Sequence, residues 1–129
     1  MAVLMVETER PIMMTCAEGT TIAKGQCLKL TDPYTAIATS AGDDEFAGIC
    51  AAEKIGGDGL TKVAVYRGGI FKVEAGTTGV TVGKPVKIEA NNEFTDTTAN
   101  DSDSGYNWGQ ALETATNGET FLMELGRFN

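Results

Sequence analysis

Histidine is absent from this 129-residue chain. With it go the commonest general base, the usual middle member of a nucleophilic triad and the commonest nitrogen ligand for metals. Lysine and arginine number only 10 against 18 aspartates and glutamates, and no basic cluster breaks the net charge of -8. Such a surface repels phosphate backbones and anionic lipid, so nucleic acid and membrane are not expected as partners. No apolar run is long enough to cross a bilayer. The opening "MAVLMVETER" has no basic region and reaches Glu7 and Glu9 at once, so it reads as a cytoplasmic product without a leader. Cysteine is sparse too: Cys16, Cys27 and Cys50 are odd in number, lack CxxC spacing and sit in apolar stretches such as "FAGICAA". They read as small buried hydrophobes in a reducing compartment.

What remains is 42% hydrophobic, enough for one core of ordinary size and too short a chain for two full domains. Sixteen glycines are scattered beside valine, isoleucine and threonine, marking turns between short strands. Two stretches nearly repeat one another: "AEGTTIAKGQCLKL" from Ala17 and "EAGTTGVTVGKPVKI" from Glu74. Both carry Gly-Thr-Thr, then Gly25 or Gly83, then an apolar strand with Lys29 or Lys87. The echo continues from Phe46 to Gly69 and from Asn107 to Phe128, with Gly48 and Gly109 in matching places. A unit used twice is too few for a solenoid and implies a pseudo-twofold barrel or sandwich. The expected architecture is a single all-β barrel domain, tulip-like, over 12–129, built from pseudo-repeats at about 17–69 and 74–128 and preceded by an extended arm over 1–11.

Period-2 alternation locates the strands. In "TKVAVYR", Val63 and Val65 oppose Lys62, Ala64 and Tyr66; in "FLMEL", Phe121, Met123 and Leu125 share a face. The Gly68-Gly69 pair signals a tight hairpin. Strands are expected near 12–16, 26–31, 34–39, 46–52, 61–67, 69–74, 84–89, 93–96, 106–112 and 119–125. The one helical candidate, "DDEFAGICAAEKI", is weakened by Gly48 at its middle. The polar run Thr95 to Gly105 reads as an exposed loop.

Reactive chemistry finds no foothold. Asp43, Asp44 and Glu45 form a solvated charge run. "DSDSG" from Asp101 opens like a calcium loop, but Leu112 stands where the bidentate glutamate belongs. "IGGDG" and "YRGGI" lack the order of phosphate-binding loops. No catalytic, metal-binding or cofactor-binding residue is assigned, and no enzymatic activity is expected.

Two resemblances follow. "GVTVGKPVKIEANNEF" resembles the half-motif of biotinyl and lipoyl carrier domains, but Asn91 and Asn92 occupy the tip where the modified lysine would stand. The order of a glycine-containing turn before a short strand, a mid-chain "GIFKV" strand and a closing "WGQALETATNGETFLMEL" hairpin resembles the capsid decoration, or cement, proteins of tailed bacteriophages, over about Ala17 to Leu125. That resemblance implies a non-enzymatic virion protein on the outer capsid surface, commonly a homotrimer, that fastens neighbouring major capsid protein subunits. The longer polar loop at Thr95 to Gly105 departs from it. A carbohydrate-binding or other adhesion barrel is the alternative, and it requires Trp108, Tyr106 and Tyr66 together on one exposed face.

The arm suits a clamp. Val3, Leu4, Met5 and Val6 have no place inside a barrel that closes without them, and an extended segment can add to a sheet edge on the shell. Pro11, lacking an N–H, ends such pairing. These five residues are the expected capsid or neighbour contacts, the alternatives being an arm that caps its own barrel bottom or one that is disordered, while Met13 and Met14 belong to the first core strand. Trp108, matched by Ala47 in the first repeat, is expected in the core or at a subunit contact.

Overall fold

The computed structural model of the chain describes residues 1–40, 44–97 and 107–126. Eleven strands and no helix appear among them: β1 (Val3–Val6), β2 (Ile12–Thr15), β3 (Cys27–Asp32), β4 (Thr35–Ala38), β5 (Phe46–Cys50), β6 (Lys62–Tyr66), β7 (Gly69–Ala75), β8 (Pro85–Ala90), β9 (Glu93–Asp96), β10 (Gly109–Ala111) and β11 (Thr120–Leu125). All ten strands expected from alternation are present, and the helical candidate is strand β5. The Asp101 to Gly105 run, Tyr106, Asp43 and Arg127 lie outside the described residues.

The all-β barrel of two repeated halves is what forms, and each half closes on itself. Strands β2-β4-β3-β5-β6 make one ring. Strands β7, β9, β8, β10 and β11 make the same ring in the second repeat, with β1 added outside β7. Each ring is sealed by one short parallel pairing, Thr15 with Thr35 in the first and Glu74 with Glu93 in the second. The correspondence holds at residue level. Leu28 and Leu30 face Ala38 and Ala36; Val86 and Ile88 face Asp96 and Phe94. Bridges between Ile22 and Lys54 and between Val80 and Ala115 close the two barrel bottoms. The first is reinforced by the buried Lys54 ammonium, which donates to the carbonyls of Glu18 (2.7 Å) and Ile55 (3.2 Å) and to the Asp58 carboxylate (3.1 Å).

The halves meet across β5. Every residue of "FAGIC" is buried because the strand is covered on both sides. Ala47 and Cys50 face the first barrel's interior, and Phe46 and Ile49 join the second barrel's core. Trp108 is fully buried there, edge-on to Phe46 (5.2 Å) and Phe94 (5.7 Å), with its Nε1 donating to the Asp44 carbonyl at 3.1 Å. It is therefore a core residue. Of the two places expected for Trp108, core or subunit contact, its 0% exposure matches the core.

A polar latch adds to this contact. The β8–β9 hairpin tip, with Asn92 in the left-handed region at φ 62°, reaches the mouth of the first barrel. Asn91 Oδ1 accepts from Gln26 Nε2 (2.8 Å) and Thr39 Oγ1 (2.9 Å), and Asn92 Oδ1 accepts from the Cys27 amide (2.8 Å). Each such bond contributes about 0.5–1.5 kcal/mol net. The corresponding tip of the first repeat carries Tyr34 at φ 55° and stays exposed.

Glu89 ties the start of the second repeat down. Burial alone would raise its pKa, but the hydroxyls of Thr77 (2.7 Å) and Thr78 (3.0 Å), with their backbone amides, outweigh that and lower it. A depressed folded-state pKa gives stability that is present above the unfolded carboxylate value and is lost as pH falls through the folded one. We expect the wild-type chain to lose stability on acidification below about pH 4.5, near the ordinary glutamate value. The Glu89→Gln variant should lose less over the same window, as read by denaturant midpoints at pH 3 and pH 7. Equal losses in the two proteins would remove Glu89 from the account.

Candidate interaction surface

The described residues hold no group of three or more Cys, Asp or Glu side chains that could bind a metal. The thiols are unpaired and buried. Burial pushes Cys27 up to about 12 and raises Cys16 and Cys50, so each is held as the unreactive thiol. What the surface offers instead is apolar strand.

Residues 3–6 are not free in solution. The uncharged segment "VLMV" has the β-propensity of a strand, and β7 has backbone groups to receive it. Val3 and Leu4 pair antiparallel with Lys72 and Phe71, and after a bulge Val6 pairs with Ile70. Ala2 is buried, with its amide donating to the Gly25 carbonyl at 3.0 Å. Leu4 packs on the second barrel's core beside Phe71. This is where the apolar arm goes: a barrel strand can still take a partner along its outer edge. Glu7 extends the tether by accepting from the Tyr66 hydroxyl at 2.9 Å, a bond that, with burial, raises the Tyr66 pKa.

The remaining sides of β1 are open. It is the one strand, among the described residues, with a neighbour on a single side. Val3, Met5 and Val6 are 56%, 53% and 50% exposed. Natural edges are blunted by charge, proline or a bulge; this one has a bulge and no charge until Glu7. Pro11 is half-buried immediately before β2. The expected contact residues thus divide: Val3, Met5 and Val6 lie outward, Leu4 inward, and Pro11 at the hinge into the first barrel. A cavity of about 470 Å³ beside β1 is lined by Met1, Leu4, Lys24, Ala51 and Tyr66 among others.

The sugar-binding face would need Trp108, Tyr66 and Tyr106 together. Trp108 is buried, and Tyr66 is half-buried with its hydroxyl on Glu7. The carrier-domain tip is likewise engaged, since Asn91 and Asn92 face the first barrel. Two features escaped sequence reasoning. One is the partner that β1 takes on its own chain, the outer edge of β7, which no local pattern announces. The other is the exposed pair Ile12 and Met13 on β2, which period 2 alone would have divided between core and solvent.

Comparison with known proteins places these observations. No curated protein matches the chain in sequence. Among solved structures, the head fiber N base of bacteriophage phi29 is similar in fold at 16% identity and a TM-score of 0.57, covering 100% of this chain and 98% of that one. The sequence profile of phage cement proteins matches residues 6–125. With that match spanning nearly all of the two-barrel body, the chain belongs to the phage cement protein family, structural proteins that decorate and stabilise the virion capsid.

Proposed function

We propose that the chain is a non-enzymatic clamp on the outer surface of a phage head, bridging neighbouring major capsid protein subunits as a homotrimer. The observation that carries this reading is the exposed apolar edge of β1, anchored by Leu4 and offering Val3, Met5 and Val6 outward. An interface of this kind works by burying apolar area and pairing backbone, with no reacting groups. The contact residues are Val3, Met5 and Val6, positioned by Leu4 and Pro11.

Deleting residues 1–9 would uncover Phe71 as well as remove the contact, so side-chain changes test the idea more cleanly. The combination Val3→Glu, Met5→Glu and Val6→Glu should abolish co-sedimentation with expanded heads and their added heat resistance, while the melting temperature stays within a few degrees of wild type. Undiminished binding would remove β1 from the contact. Light scattering of the head-free protein should give about three times the 13.6 kDa chain mass.

A further inference from the structure

We propose that the outer edge of β2 is a second strand-binding slot, filled on the head by an extended, uncharged segment of the capsid partner that runs antiparallel to Ile12–Met13 and is followed by a carboxylate. The inference rests on the capsid-binding reading above and names the chemistry of the partner segment.

The molecule contains its own template. Strand β7 pairs with β11 along one side; along the other, β1 covers Ile70–Lys72 and β9 covers Glu74 and Ala75. Strand β2 occupies the same place in the first barrel and pairs with β6 along its whole length, but its other side meets β4 only at Thr15. Superposing the two rings through their sealing pairs matches Thr15 with Glu74, Met13 with Lys72 and Ile12 with Phe71. Among the described residues, the stretch that β1 covers in the second barrel is bare in the first. Phe71, lying under Leu4, is 1% exposed, whereas Ile12 is 39% and Met13 53% exposed.

The bare edge is also chemically ready. The Thr15 amide donates across the β4 side to the Tyr34 carbonyl at 3.0 Å. In an extended strand the backbone groups of residues two apart point the same way, so Met13 turns its N–H and C=O to that open side. Pro11 has no N–H to offer, which confines the donor to Met13. Ile12, Met13 and Met14 bring no charge to repel an incoming strand.

Charge selects the occupant. In the template, the apolar run of β1 is followed by Glu7 and Glu9. Continuing the matched register, the position of Gly69 beside that flank becomes Arg10 in the first barrel. Arg10 is exposed and enters no ion pair among the described residues. A strand that ends in a carboxylate therefore meets a cation here. A second copy has no such strand to give, because its β1 is already paired with its own β7.

The test uses the full chain with expanded heads. Met13→Pro removes an N–H that no described strand receives, so the fold should melt as wild type while affinity for heads drops about tenfold or more. Met13→Ala keeps the amide and should bind within a few-fold of wild type; Arg10→Glu should weaken binding in the same direction as Met13→Pro. Hydrogen exchange should show the residue 13 amide protected only when heads are present. Wild-type affinity in Met13→Pro, with the unaltered chain binding normally, would overturn the slot and leave the capsid reading intact. Amide protection that rises with protein concentration without heads would assign the edge to a second copy and overturn the proposal. Failure of the unaltered chain to bind heads would overturn both.

Discussion

Trp108→Ala should lower stability by about 3–5 kcal/mol, the range for truncating a large buried aromatic. Thermal unfolding should shift down on the order of 10–20 °C for a chain of this size. The cost is high because one side chain serves three contacts. It fills the second barrel beside Phe94, meets Phe46 from the outer face of β5, and satisfies the Asp44 carbonyl. Alanine leaves a cavity between the halves and removes the bond to the Asp44 carbonyl. The conservative Trp108→Phe keeps most of the volume and loses the hydrogen bond, so it should cost about 1–2 kcal/mol. Equal losses in the two variants would mean the cavity is not the source. The small residue in the same place of the first repeat, Ala47, shows why the effect is one-sided: that barrel's interior is filled from elsewhere, by Met14, Leu28 and Val63.

The second large effect is expected at a glycine that both repeats keep. A Cβ at Gly48 would fall on the Tyr66 carbonyl oxygen, and a Cβ at Gly109 on that of Glu124. In each barrel the fourth ring member, β5 or β10, crosses its neighbour backbone to backbone, with no room for a methyl group. Gly48 is also held at φ 147°, where a side chain is strained. Gly48→Ala should therefore cost about 3 kcal/mol or more from overlap and backbone strain together, and Gly109→Ala about 1–3 kcal/mol from overlap. The comparison is Gly118→Ala, at φ 81° with open space around it, which should cost only the local backbone penalty of about 1–2 kcal/mol. Denaturant midpoints of the three variants rank them; a Gly48 variant as stable as the Gly118 variant would show that the strands can part without loss.

Much of this architecture was legible as sequence because its signals are local. Alternation in "TKVAVYR" and "FLMEL" gave β6 and β11, and the Gly68-Gly69 pair gave the turn between β6 and β7. The doubled Gly-Thr-Thr phrase revealed the duplication. What stayed hidden depends on long-range pairing. That each repeat seals its own barrel rests on short parallel contacts, at Thr15 in the first and at Glu74 and Ala75 in the second, which leave no trace in their neighbours. The polar tip Asn91-Asn92 reads as an exposed turn until Gln26, Cys27 and Thr39 are brought to it. The interaction surface was half legible. "VLMV" stood out as apolar residues without a core, but which of them turn outward was decided by β7, and the open side of β2 appears only when the two rings are laid over one another.

The extra strand on β7 has a geometric consequence. Two identical barrels related by a twofold would look alike from either end, and such an object could settle on a regular lattice in two inverted poses. Among the described residues one barrel carries a sixth strand and the other does not, so the duplicated body acquires a head and a tail. Only one of the two poses can bring the same chemistry to the same lattice point.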